Sequence, residues 1–423
     1  MAENSIPENG PIVNRPDANR IFEDWENSDF AKRLRLVFDN LHDEKLLEAL
    51  EATRWTGRPG YPIRVMWRTY IASYVLNVGT FTGLIRELHA NPFLAYLCGI
   101  TSREAIPSKY AYCRFLKKLV AHKELVLECM ASLAGELGRA LPGFGEIVAV
   151  DSTDIHAYSN GAKKPSSDPD ASWSAKKGRN GQPRFWFGYK GHLMVDAEHE
   201  IPIWMHTTTA KRNDGREILP LLRDARDWLP GFHPQYVLAD AGYDHKRVYE
   251  GIVEDFGAKP IIKMNPHGKD LKEIWDELTT YEGTPYAPCG EPMKFWGYEK
   301  KRGTLKYRCQ KSKREDGPSC WYYGCRSGHA YTLRLKIADD YRRYCQVPRS
   351  TKRWARLYNM RASVERAFSR LKEFRKLDNL HVRGLPKIEL HCLLAVLVMQ
   401  SMALGMAKAN GIQNARNNVK KVA

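Results

Sequence analysis

Apolar positions in the first third of the chain recur with a helical period. Leu34, Phe38, Leu41, Leu46, Leu47 and Leu50 stand three and four residues apart, one face of an amphipathic helix. A break at Thr56-Gly57-Arg58-Pro59-Gly60 follows, and Pro62 is suited to the first turn of a new helix. The pattern then predicts helices near 63–77, 80–89, 93–98 and 123–140. Another starts at Pro107-Ser108 and carries Tyr110, Phe115, Lys117 and Lys118. Residues 31–141 therefore read as an all-helical domain. Its short helices suit a helix-turn-helix DNA reader, or a plain structural domain. The first 30 residues are polar, with Pro7, Pro11 and Pro16, and read as a loosely ordered arm.

After Pro142-Gly143 the period changes. IVAV runs into Asp151; residues 184–200 and 201–209 are rich in aromatic and branched side chains and read as a hairpin turning near 198–200. Helical patterns at 215–229 and 244–256 alternate with apolar strands at 235–239 and 259–264. The order β-β-β-α-β-α-β predicts an α/β fold, a mixed five-stranded sheet flanked by helices. A polar loop over 160–183 holds Lys163, Lys164, Lys176, Lys177 and Arg179. A cysteine-containing insertion fills 267–339, two helices follow at 351–377 and 388–409, and residues 411–423 form a basic tail. The sheet domain is thus expected over 142–266 and 340–410.

Charge narrows the partners. The formal net charge is +17, and 15 basic against four acidic residues lie between Thr351 and Ala423. A basic stripe suits a polyanion, whose condensed counterions are released on binding. Hydrophobic residues at 43 % exclude a disordered chain. The opening MAENSIPENG lacks the basic and apolar regions of a secretory signal, and nine cysteines at irregular spacing suit a reducing compartment, so a cytoplasmic protein is expected. The apolar stretch from Cys392 to Met406 is short for a membrane span and is expected to be a buried helix.

Asp151 and Asp240 each close an apolar strand, IVAV and YVLA. Acids are common where strands give way to loops, but two on adjacent strands can hold hard divalent cations, which prefer carboxylate oxygens. Farther on, Tyr358, Arg361, Glu365 and Lys372 fall within an arc of roughly 60° on one ideal helix. Leu357, Met360, Val364, Phe368 and Leu371 form the neighbouring apolar stripe. Such a helix presents an acid ringed by cations, or it is a solvated face whose Arg361–Glu365 pair is an ordinary helix salt bridge.

The run Tyr-x2-Arg-x3-Glu-x6-Lys at 358–372 resembles the YREK signature of DDE transposases from bacterial insertion sequences. Asp151 in IVAVDST and Asp240 in VLADAGYD stand in the order that family requires; Tyr189-Lys-Gly-His192 and Asn213-Asp214 are similar to its recurring features. The resemblance covers about residues 30–400. It implies a ribonuclease H-like catalytic domain with Asp151, Asp240 and Glu365 as catalytic carboxylates holding two Mg²⁺ (or Mn²⁺) ions. It also implies DNA contacts from Tyr358, Arg361 and Lys372. The substrate would be double-stranded DNA, at terminal inverted repeats and at a target, bound by a homodimer in the bacterial nucleoid, with no membrane. Two other classes compete: a DNA-binding relative without catalysis, and a ribonuclease H-like nuclease that cleaves without rejoining.

The insertion leaves alternatives open. Cys289, Cys309, Cys320 and Cys325 could hold a structural Zn²⁺, with His329 as a substitute ligand, or remain reduced thiols; no C-x2-C knuckle is present. Trp296, Trp321 and Tyr322, near Lys300, Lys301 and Arg302, could stack on an unpaired base or pack in a core. Asp154 and His156 either tune a metal site or serve a turn. The stretch from Asp168 to Trp173 is expected to be a loop that orders against DNA, or a linker.

Overall fold

The computed structural model describes residues 18–53, 60–178, 180–265, 278–309 and 330–410. Eight helices come first: α1 (Ala18–Glu26), α2 (Asp29–Phe38), α3 (Glu44–Ala52), α4 (Ile63–Val75), α5 (Phe81–Ala90), α6 (Pro92–Leu97), α7 (Lys109–Ala121) and α8 (Lys123–Ala140). Local sequence sets their starts. The side chains of Ser28, Thr80, Asn91 and Ser108 each accept a hydrogen bond from a backbone N–H of the first turn they precede. The arm differs from expectation: α1 lies within it, and Phe22 packs edge-on against Phe93 and Tyr96 at 5.5 and 5.0 Å. Two aromatic residues one helical turn apart, Phe22 and Trp25, were enough to dock a short polar segment.

The sheet contains β1 (Ile147–His156), β2 (Ser172–Lys177), β3 (Pro183–Asp196), β4 (Pro202–Thr209), β5 (Tyr236–Ala239) and β6 (Lys259–Ile262), with α9 (Asp214–Trp228) before β5 and α10 (Lys246–Phe256) before β6. β3 runs antiparallel to β1 and β4, whereas β1, β5 and β6 are mutually parallel neighbours. All five expected strands form the mixed, ribonuclease H-like sheet. A sixth, β2, lies where a polar loop was expected. Gly188 of β3 is paired with His156 on one side and Ser172 on the other, so β2 continues the edge that β4 occupies.

The insertion builds a separate antiparallel sheet from β7 (Lys294–Glu299), β8 (Thr304–Arg308) and β9 (Thr332–Lys336), over a small core of Ala287, Met293, Leu305, Tyr307 and Cys309. Then come α11 (Lys352–Asn359), α12 (Ala362–Phe374) and α13 (Leu385–Asn410). The single helix expected over 351–377 is two. At Met360 and Arg361 the bonds tighten: Arg361 N donates to Tyr358 O, and Ser363 N to Met360 O, both at 3.0 Å and both three residues apart.

α13 is long and apolar enough to cross a membrane, but 89 % of its apolar window is buried within the fold, so it is a core helix. It packs on α2, α8 and β4 and joins helices and sheet in one hydrophobic core. Two of its internal polar side chains bond to the backbone that surrounds it. Gln400 Nε2 donates to Pro202 O and Ile203 O, and Ser401 Oγ donates to Val37 O.

Candidate active site

Strand register brings the two aspartates together. β1 and β5 pair in parallel with Ala149 opposite Leu238. Two residues on, Asp151 and Asp240 are level on neighbouring strands, whose spacing is about 4.8 Å. Asp151 sits where β1 outruns β5 and continues beside β3, opposite Leu193. Its Oδ1 accepts from Ser152 N at 2.8 Å. Asp240 ends β5 and caps a single 3-10 turn, its Oδ1 accepting from Gly242 N at 2.8 Å.

Helix α12 delivers the third acid. It lies on β1 and β3 and buries Val364, Ala367, Phe368 and Leu371. Glu365, in its first turn where the helix dipole favours a negative charge, keeps its side chain 56 % exposed. Arg361 links the acids: Nη2 donates to Glu365 Oε1 at 2.5 Å and Nη1 approaches Asp151 Oδ2 at 3.5 Å. The helix break alters how the four signature positions meet. Tyr358 belongs to α11, where it stacks on Trp354 at 4.8 Å with its ring under the Arg361 guanidinium. Lys372, in the last turn of α12, reaches Asp154 O at 3.4 Å and Asp378 at 3.0 Å. The structure thus draws Asp151, Asp240, Glu365, Arg361 and Tyr358 together, with Lys372 farther along β1.

The acids repel one another. Burial first, and then the charge of Asp240, push the Asp151 carboxyl up to about 7; Glu365 adds to this, while Ser152 N–H and Arg361 oppose it. Tyr243 beside them is buried and held well above the ordinary phenol range by burial and by Asp151, Asp214 and Asp240. Three hard oxygen donors that destabilise one another as anions suit divalent cations, so the residues fit the metal that the fold implies. Arg361 already places a positive group between Asp151 and Glu365. Among the described residues no three acid, thiol or imidazole groups lie close enough together to hold a metal ion.

The opposite side of α12 carries an arrangement the sequence did not suggest. Arg366 Nε donates to Glu200 Oε1 and Arg370 Nη1 to Glu200 Oε2, each at 2.9 Å, and Arg370 Nη2 reaches Glu200 O. Glu200 occupies the β3–β4 turn at φ 61°, a left-handed conformation uncommon for glutamate. This clamp fixes the helix that bears Glu365. The only sequence signal was a pair of arginines four residues apart on one helix face.

Other expectations resolve differently. Asp168 is fully buried and accepts from Tyr189 Oη at 2.7 Å and Gly384 N at 3.1 Å; Asp170 accepts from Leu385 N at the start of α13. Residues 168–173 are therefore tied to the protein's own fold, neither linker nor loop awaiting DNA. Asp154 pairs with Lys176 at 2.5 Å, and His156 is exposed. Lys190 pairs with Asp214 at 2.9 Å, and His192 meets Thr208 Oγ1. Trp296 is half exposed with Arg308 over its ring, not a core side chain. Cys309 is buried and Cys289 packs against the same small core, whereas Cys320, Cys325, Trp321, Tyr322 and His329 lie outside the described residues.

Comparisons with known proteins place the chain in a family. Residues 142–400 match the family described as Transposase DDE domain, and residues 20–118 match the Transposase domain (DUF772) family. The chain is similar at 9 % identity to a piggyBac transposase in a synaptic complex with hairpin DNA, over 93 % of this chain and 79 % of that one, with a TM-score of 0.38. The first match alone spans more than half of the 423 residues and contains all three carboxylates. The chain belongs to the DDE transposases, enzymes that cleave and transfer DNA strands.

Proposed function

We propose that Asp151, Asp240 and Glu365 are the catalytic carboxylates with which this transposase cuts DNA at the terminal inverted repeats of an insertion sequence and joins the freed 3′ ends to target DNA. One observation carries the reading: a half-buried aspartate pushed up to about 7, level with a second aspartate and linked through Arg361 to a glutamate on α12. Perturbed carboxylates of this kind mark functional sites. Asp151, Asp240 and Glu365 would hold two Mg²⁺ (or Mn²⁺) ions, which would supply activation of the attacking oxygen and stabilisation of the leaving 3′ oxygen.

The chain's own groups position the DNA. Arg361 would meet the phosphate beside the scissile bond, and guanidinium bonds to phosphate are strong and directional. Its place over the Tyr358 ring holds it close to that position. Lys372 would meet the backbone farther along. A homodimer that pairs two element ends is part of the reading; a structural Zn²⁺ on Cys289, Cys309, Cys320 and Cys325 stands as the alternative to reduced thiols, and zinc well below one per purified chain would remove it.

The test is cleavage of labelled duplex carrying the element's own end, with Mg²⁺ or chelator, by wild type and Glu365→Gln. The reading expects metal-dependent nicking at the repeat boundary that the variant loses while it still binds. Undiminished nicking by the variant would sink it, and binding without nicking by either protein would favour a DNA-binding relative that has lost catalysis.

A further inference from the structure

The face of α7 that the fold leaves open has no part in the carboxylate site. At about 100° per residue, Lys109, Cys113, Lys117, Tyr110 and Arg114 fill one continuous arc of roughly 140°. All five are exposed, Tyr110 at 75 %. Ala111, Tyr112, Phe115, Leu116 and Leu119 fill the complementary arc and are buried. The buried half is fixed firmly. Tyr112 stacks on Phe81 of α5 at 5.2 Å, its hydroxyl donates to Thr69 Oγ1 of α4 at 2.8 Å, and Ser108 caps the first turn. The open half is therefore held still although nothing covers it.

Its charge is unspent. Among the described residues, Lys109, Arg114 and Lys117 have no carboxylate within ion-pair distance, unlike Arg35, Lys45, Lys123 and Arg223. Lys109 and Lys117 are separated by eight residues, a rise of about 12 Å, comparable to the width of a B-DNA major groove. α5 and α6 are joined by the single residue Asn91, a longer connection with a 3-10 turn at Arg103–Ala105 leads to α7, and α7 packs on α5.

We propose that α7 enters the major groove of duplex DNA. Lys109, Arg114 and Lys117 hold phosphates or guanine edges, and Tyr110, at the helix start where base edges are met, contributes to sequence preference. The proposal takes the protein's action on DNA as given but is independent of the three carboxylates.

The full-length protein, with chelator so that no strand is cut, is titrated with two duplexes. One carries the element's own end and the other is a scrambled sequence of equal length. Lys109→Ala/Arg114→Ala/Lys117→Ala should weaken binding to the element end tenfold or more and lower the salt slope by about 3. A control substitution of the exposed cations Arg139 and Lys246, which lie on α8 and α10 and not on α7, should leave both nearly unchanged. Tyr110→Ala should reduce the preference for the end over the scrambled duplex at least threefold. Cys113 gives a readout without any mutation on the face: bound DNA should slow its alkylation, followed on its own peptide by mass spectrometry, by tenfold or more. Unchanged affinity and salt slope in the triple variant, or equal alkylation of Cys113 with and without DNA, would overturn the proposal. Failure of the carboxylate reading appears only in cleavage and leaves these binding readouts intact.

Discussion

Helix α12 carries two acid–arginine arrangements of opposite character. On one side Glu200, its side chain 3 % exposed, takes hydrogen bonds from Arg366 and Arg370. Burial works against its charge, but the two guanidinium groups outweigh burial and hold its carboxyl below the ordinary range. On the other side Asp151 receives one backbone N–H and one long contact from Arg361, and is pushed up to about 7. The first acid has all the positive charge it needs; the second, crowded by Asp240, lacks it. A saturated acid is a structural fixture, and a starved one is ready for a cation brought from solution.

The largest effect should come from the starved side. Asp151→Asn, Asp240→Asn and Glu365→Gln should each reduce cleavage on the order of 10³-fold or more while the fold persists. A loss below tenfold at any of the three would remove that residue from the set. Glu200→Ala, on the saturated side, should do the reverse. It takes the carboxylate away from the buried Arg370, which keeps its bond to the backbone oxygen of residue 200, and should cost about 3–5 kcal/mol in urea or thermal melts. Cleavage at a temperature where the variant stays folded should survive.

The two acids should also have opposite pH signatures. Glu200 binds its proton less readily in the folded state, so its stabilising contribution is present above the ordinary glutamate pKa and is lost as pH falls through its lowered value. Asp151 binds its proton more readily when folded. Its contribution is complete below about pH 4 and is lost as pH rises towards 7. In chelated protein, Asp151→Asn should therefore melt higher than wild type at pH 8 and alike at pH 4. Added Mg²⁺ should narrow the gap by stabilising wild type alone; equal melting at both pH values would blunt the comparison. The smallest effect is expected at Asp168→Asn. Its charged bonds to Tyr189 and Gly384 become neutral, costing about 1–2 kcal/mol in the same melts.

Much of this was legible in the chain because it was local. Apolar runs ending in Asp151 and Asp240, alternating with amphipathic helices, follow the period of strand and helix, and the sheet followed from their order. β2 was hidden because its sequence, SWSAKK, is short, polar and paired in the sheet only along β3. The break at Met360 was hidden because its residues suit a helix and only the hydrogen-bond spacing changes there. Glu200 with Arg370, and Asp168 with Gly384, join positions more than 150 residues apart, and no periodicity connects such pairs. The three candidate carboxylates were picked out through two strands and a short spaced motif; the clamp on the helix that bears Glu365 was not.

The claim that Asp151, Asp240 and Glu365 form one cation-binding set is tested most directly by Mn²⁺ uptake. The protein is held on DNA carrying an element end, and the free-ion resonance is followed by electron paramagnetic resonance. Wild type and Glu200→Gln should take up two ions per chain, whereas Asp151→Asn should lose this uptake. Uptake by Asp151→Asn equal to wild type would contradict the account, because the ions would then lie elsewhere than between these three acids.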